Sequence, residues 1–429
     1  MRYAHFFVLP AVLLFVTHIQ AATELPEKVS FELAMKLVDE SKHTEALLIN
    51  ADYEAASSDL LAITGLNDFN LDLTALAQYI EPSLVVTNEV NDDHRVSLLL
   101  SKTLYDSGFS DEKEKSVQSR IDSIKLLMKQ LRLEKRIEVA RKFFDIKLSD
   151  LKYSLDNEAI STAYVKYNKT LERNQLKERS DVELLKAHFE YQQVRARRYE
   201  SETMQRISRA RFAESIARPK DLPSDVVVPD ISFIERKRPE YEDILKLALE
   251  NNLQLRAQDL LLQAAAHELA ASRKKDSSKL STEVEWAEYS NEQPSKNNWR
   301  ATLKYSVPLY ESDSVKSSRA KALAEFNRQQ AKKIQLESQI RQQCLEVWQR
   351  IYVLKARQDI DVVAEEYREL YQDRSRAFYE MEFRTDLGDS FVRVSEAKLE
   401  KFKNNFELVM SWMKLAMLTG VTLEEYIQQ

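Results

Sequence analysis

The feature that most constrains this chain is an internal duplication, because the same parts recur in the same order about 208 residues apart. Ile137-Glu138-Val139-Ala140-Arg141-Lys142-Phe143-Phe144 lines up with Leu345-Glu346-Val347-Trp348-Gln349-Arg350-Ile351-Tyr352. Leu104-Tyr105-Asp106-Ser107 lies opposite Leu309-Tyr310-Glu311-Ser312, and Leu33-Ala34-Met35-Lys36-Leu37 opposite Asp243-Ile244-Leu245-Lys246-Leu247. Between the halves, Pro219, Pro223, Pro229 and Pro239 bring four of the nine prolines together. Neither a helix nor a central strand tolerates such a run. Residues 219–239 therefore read as an extended linker, 23–218 as a first repeat and 240–429 as a second.

Each repeat opens with an amphipathic helix, over 30–64 and 239–274. A strand hairpin follows, over 70–105 and 280–309. Leu71, Leu73, Ala75, Ala77 and Tyr79 alternate with Asn70, Asp72, Thr74 and Gln78. Trp299, Ala301, Leu303, Tyr305 and Val307 alternate with Arg300, Thr302, Lys304 and Ser306. Period-two alternation gives every strand one apolar and one polar face. The polar segments 81–94 and 290–298 read as hairpin loops. Each repeat ends in a long helical hairpin, 111–217 and 314–418. Leu133, Ile137, Ala140, Phe144, Leu148, Leu151 and Leu155 recur at coiled-coil spacing. About 60 such residues make a rod of roughly 90 Å, which no compact domain needs.

Residues 1–22 read as a cleaved secretory signal: Arg2, an apolar run over 6–16, then small residues at Ala21 and Ala22. No later run of about 18 apolar residues recurs, so any passage through a membrane must use strands. Four strands of about 33 Å, tilted near 45°, would cross the apolar band of about 25 Å typical of outer-membrane barrels. Four cannot close a barrel, and an open edge is forbidden in lipid. Several copies must then share one barrel, with their polar faces around a water-filled lumen.

In this organisation the chain resembles the TolC family of trimeric outer-membrane efflux and secretion channels over essentially all of its mature length. The residues that carry the likeness are Leu104-Tyr105-Asp106-Ser107-Gly108, Val307-Pro308-Leu309-Tyr310, and Leu245-Lys246-Leu247-Ala248-Leu249-Glu250-Asn251-Asn252, together with the helix-tip segments Ser180-Asp181-Val182 and Tyr379-Glu380-Met381-Glu382-Phe383-Arg384-Thr385. The resemblance implies a mainly α fold with a membrane β-barrel: a homotrimer whose subunits each give four strands to a 12-stranded barrel and two coiled-coil hairpins to a periplasmic tunnel. It implies outer-membrane lipid, a periplasmic adaptor and an inner-membrane transporter as partners, with Trp299, Leu303, Tyr305 and Val307 facing lipid. Carried over by position, Ser180 and Asp181 would link to Tyr379 and Arg384 to hold the periplasmic end closed. Asp181 would equally suit a helix cap and Arg384 a solvated charge. Asp386 and Asp389 would stand at the tunnel mouth, a place Asp389 shares with a capping role. Gln175, Leu176, Lys177, Glu382 and Phe383 would meet the adaptor, although the family's tip glycines are replaced here by Gln175 and Glu382.

Other function classes fit poorly. The four glycines are scattered, so no phosphate-cradling loop or dinucleotide fingerprint can form. His43, His94, His188 and His267 have no second ligand at zinc spacing. No cofactor is expected, and Glu283 and Glu285 suit a lumen lining better than acid–base catalysis. A net charge of −6 without a basic block disfavours nucleic acid. Cys344 continues the apolar row of Ile340, Val347, Ile351 and Leu354, so it reads as a small buried hydrophobe. A soluble periplasmic coiled-coil scaffold shares the leader and the rods, but leaves unexplained why a period-two hairpin interrupts both repeats at one place.

Overall fold

Freedom from glycine and proline lets two helices run without interruption: α3 (Phe109–Gln175, 67 residues) and α7 (Asp313–Glu380, 68 residues). Each extends about 100 Å. The structure, a computed structural model, describes residues 25–41, 43–79, 92–290, 296–310, 312–381 and 387–421. The expected leader, 1–22, lies outside them. Shorter helices complete two hairpins, α4 (Asp181–Ser215) folding back on α3 and α8 (Leu387–Thr419) on α7. Towards the strands, α2 (Thr44–Thr64) lies against α3, and α6 (Leu253–Lys274) fits between α3 and α7. The chain thus forms one layer of helices. Near the tips the order is α4, α3, α8, α7; near the strands it is α2, α3, α6, α7.

Four strands, β2 (Asn70–Leu76), β3 (Arg95–Tyr105), β5 (Lys279–Tyr289) and β6 (Trp299–Ser306), form one antiparallel sheet in the order β2-β3-β5-β6. The hairpins of the two repeats are therefore joined through β3 and β5. Val307 lies just beyond β6, where Pro308 cannot donate to a ladder.

A girdle covers one side of the helical layer at mid-height. It contains α1 (Phe31–Glu40), α5 (Tyr241–Asn251) and a parallel pair of β1 (Lys28–Ser30) with β4 (Asp225–Val227). The linker supplies β4 and is strapped to α7. The Arg238 guanidinium lies 3.7 Å from the centre of the Trp348 ring, and Trp348 Nε1 donates to the Pro239 carbonyl at 3.0 Å. Beneath the girdle sits the main core. Phe143 and Phe144 meet edge to face at 5.6 Å, and Phe31, Phe212 and Phe406 close around them. Cys344 is fully buried here, and desolvation pushes its thiol up to about 11, in keeping with an inert apolar role.

The opening helix of each repeat is broken, where the sequence pattern suggests continuity. In the second repeat the cause is Asn252, which is buried and extended between α5 and α6. Its side chain accepts from Leu255 N–H at 3.1 Å and donates to the Leu418 carbonyl at 3.1 Å. One residue thus ends a helix, starts the next and ties both to the end of α8.

Because Phe144 touches four aromatic partners in and around that core, Phe31, Phe143, Phe402 and Phe406, Phe144→Ala should remove about 3–5 kcal/mol of stability. A loss under ~1 kcal/mol in denaturant unfolding would show that the girdle is not the centre of stability.

Candidate functional site

Register turns the strand alternation into a continuous surface. Leu73 pairs with Leu98, Leu98 with Trp286, and Trp286 with Trp299, so all four lie on one face of the sheet. One step along, Leu71, Leu100, Val284 and Ala301 form a second row; Lys102, Thr282 and Leu303 make the next, with the Lys102 ammonium over the Phe69 ring, and Leu280 and Tyr305 follow. The face is open: Leu73 is 72% exposed, Trp299 69% and Leu303 68%. Aromatic rings stand at both ends of the apolar band, Trp286 and Trp299 at one and Phe69, Tyr105 and Tyr305 at the other. Amphipathic rings at two such levels suit the borders of a bilayer.

The opposite face is polar and internally paired. Glu285, on β5, is 8% exposed and forms ion pairs with Arg95 of β3 and Arg300 of β6, which ties three strands together. Lys296 reaches Asp93 at 2.6 Å at the loop end of the sheet. Among the described residues both outer strands keep a free edge, since β2 pairs only with β3 and β6 only with β5. No helix among the described residues is long and apolar enough to cross a membrane.

The switch from strand to rod depends on Tyr105-Asp106-Ser107-Gly108. Ser107 and Gly108 both take positive φ (60° and 78°), and Asp106 accepts from Gly108 N–H at 3.0 Å and Ser110 N–H at 2.9 Å. Burial opposes ionisation of Asp106, yet the bonds from Ser110, Gly108 and Phe109 hold its carboxyl below the ordinary range. Ser107 Oγ donates to the Ser278 carbonyl at 2.7 Å, which locks the first repeat to the start of β5.

At the far end, the first tip is a tightly bonded turn. Glu178 N–H donates to the Arg173 carbonyl and Lys177 N–H to the Asn174 carbonyl, both at 2.8 Å. Lys177 occupies the left-handed region (φ 64°), a place usually given to glycine. The left-handed position is thus Lys177 rather than Gln175, which ends α3. Leu176 is exposed. Ser180, not Asp181, is the N-cap of α4, in a reciprocal capping box with Glu183. Asp181 accepts from Asn174 Nδ2 at 3.0 Å, a partner the sequence reading did not single out. Among the described residues no hydrogen bond joins Ser180 or Asp181 to Tyr379, which lies exposed at the end of α7. Glu382, Phe383, Arg384 and Asp386 lie outside the described residues.

Asp389 accepts from Arg393 Nε at 2.6 Å, one turn along α8. Its neighbour Gly388 has a role periodicity could not reveal. A Cβ there would lie 2.8 Å from Thr162 Cγ2, so glycine is what lets the start of α8 press against α3.

The edges of the helical layer are also apolar. Val182, Leu185 and Phe189 are exposed along α4, and Ile360, Val363, Tyr367 and Leu370 along α7.

No family model matches the chain, and no curated relative matches it. Solved structures do. A membrane protein from Pseudomonas aeruginosa matches with a TM-score of 0.76 at 11% identity, covering 92% of this chain and 91% of the other. The outer membrane protein VceC of Vibrio cholerae matches at 0.72 and 12% identity, over 92% of this chain and 96% of its own. The open state of the Neisseria gonorrhoeae MtrE outer membrane channel matches at 0.72 and 16% identity, over 92% and 90%. With a sheet of four strands, two long helical hairpins and a mid-height girdle in the same arrangement, this chain has the fold of the TolC-type outer-membrane channels.

Proposed function

We propose that the protein is the outer-membrane exit duct of a tripartite efflux pump or type I secretion system, acting as a homotrimer. The observation that carries this reading is the four-stranded sheet with one mainly apolar face and, among the described residues, two unpaired edges. Three copies close it: β6 of one subunit beside β2 of the next gives 12 strands in unbroken antiparallel order. Closure leaves no edge in lipid, puts the polar face with Glu285 inside, and continues below as a ring of helices.

The helical edges support the same ring. The exposed apolar stripe of α4 and that of α7 are on opposite sides of the layer, so each meets its complement on a neighbouring copy. Exposed Arg195 and Arg197 on α4 have counterparts of opposite sign in Glu366 and Glu369 on α7. A periplasmic adaptor and an inner-membrane transporter would supply cargo from below, and no catalytic step is assigned to this chain.

At the periplasmic end we assign Ser180, Asp181, Tyr379 and Arg384 to the closing links. Gln175, Leu176, Lys177, Glu382 and Phe383 are assigned to adaptor docking, and Asp386 and Asp389 to the acidic mouth. The bonds seen at the first tip are local and exposed, each contributing about 0–1 kcal/mol, so a docking partner can exchange them for its own.

The purified protein should run as three chains in detergent and conduct in planar bilayers; a non-conducting monomer that stays in solution without surfactant would overturn the duct. Leu303→Arg should cost about 2–4 kcal/mol and reduce outer-membrane assembly, while Thr302→Arg on the other face should assemble normally. Normal assembly of Leu303→Arg with loss in Thr302→Arg would mean that the sheet's faces are reversed, and equal assembly of the two would overturn the lipid-facing assignment. Charge reversal at Asp181 or Arg384 should raise conductance, and unchanged conductance in both would remove the gate assignment alone.

A further inference from the structure

A groove with a volume of ≈ 560 Å³ runs where α3, α4 and α8 meet. It opens on the side of the helical layer away from the girdle. On α3, Ala140, Phe143 and Phe144 enter the girdle core, whereas Lys142, Asp145, Ser149 and Lys152 line the groove. At about 100° per residue the two sets project in opposite directions. Leu148, Leu155, Met204 and Leu399 give the groove apolar walls.

The lysines along it are already held. Lys142 binds Glu138 at 2.6 Å, Lys152 binds Asp156 at 2.9 Å, and Lys403 lies 3.7 Å from Glu400. Asp145 differs. It is half-buried, and among the described residues no hydrogen bond or ion pair holds it. The charges around it are Arg141 on its own helix, Arg211 on α4 and Glu407 on α8. Arg141 is drawn off by Glu407 at 3.6 Å, and Glu407 also engages Arg350 of α7 at 3.7 Å. Burial outweighs the two arginines and raises the carboxyl above its ordinary range. Glu396 adds a second, exposed carboxylate at the rim.

We propose that this groove is a binding subsite for an amphiphilic monocation, an organic amine or quaternary ammonium whose charge rests against Asp145 and whose apolar body lies on Leu148, Met204 and Leu399. An under-compensated carboxylate beside hydrocarbon gains most from a cation that is itself weakly hydrated and brings its own apolar surface. The flexible thioether of Met204 can adapt to bodies of different shape. A strongly hydrated inorganic ion cannot use the walls, and an anion meets Asp145 and Glu396 with Arg211 as the one lining cation that no described partner holds, the lysines being engaged elsewhere. The subsite rests on the duct reading for its place in the path of cargo, since only in a closed tunnel does this side of the layer face the lumen.

The test uses the full-length protein in phospholipid nanodiscs, where no detergent competes for the apolar walls, with ethidium as the cationic probe and fluorescein as the anionic one. Ethidium should bind saturably, and Asp145→Asn should weaken it about tenfold. Met204→Lys, at an exposed position, should weaken it as well by placing a tethered ammonium in the groove. Unchanged ethidium affinity in both variants, or fluorescein binding as tightly as ethidium, would overturn the proposal. Conductance of the same preparations separates the two readings. A conducting protein without Asp145-dependent binding overturns the subsite and leaves the duct. Asp145-dependent binding in a protein that never conducts overturns the duct and leaves the groove as a cation site.

Discussion

An N–H or C=O group left unpaired in hydrocarbon costs several kcal/mol, and on the duct reading this chain brings to lipid a sheet with two edges open among the described residues. The rest of the architecture can be understood as a response to that cost. Four is an even number of strands, so the last runs opposite to the first and copies can be added without breaking the antiparallel alternation. The helical hairpins beneath the sheet obey the same arithmetic, because a single layer with apolar stripes on both outer edges is stable only when it closes on copies of itself. On the duct reading the barrel and the tunnel are one ring imposed twice, with the Asp106 turn joining strand to rod in each copy.

A wall one helix thick cannot hold a deep core, which explains where stability is concentrated. The aromatic cluster of Phe31, Phe143, Phe144, Phe212 and Phe406 forms only where the girdle adds a second layer. The linker between the repeats, strapped to α7 by Arg238 and Trp348, holds that layer in place. Away from it, the hairpins rely on i,i+4 ion pairs, caps and small residues. The first tip is held by local, exposed bonds, and on the duct reading such an end suits a closure that a partner can open.

Much of this was legible in the sequence because the signals were local. Period-two alternation identified the apolar faces, and the absence of glycine and proline identified the rods. What escaped was long-range. The helix break at Asn252 depends on the Leu418 carbonyl, far along the chain. The close approach at Gly388 depends on Thr162, in the other repeat. The family likeness marked Gln175 as standing where a tip glycine is usual; the left-handed conformation at Lys177, two residues on, carried no signal in the sequence pattern. The pairing of Glu285 with Arg95 needed the join of the two hairpins, which neither hairpin's own pattern contains; its pairing with Arg300 lies within the second hairpin.

That last cluster bears on where a duct of this kind could discriminate among solutes. The polar sheet face carries Asp72, Glu283 and Glu285 against Arg95, Lys279, Arg300 and Lys304, and its most buried acid is neutralised from both sides. A lumen lined this way is nearly balanced in sign, and its charges hold strands together more than they attract ions. On the duct reading, any preference for charge must arise in the helical wall and at its mouth, where carboxylates such as Asp145 stand without such clamps. A stiff, neutral barrel above a more selective tunnel is the arrangement expected when the strands have to solve the problem of lipid first.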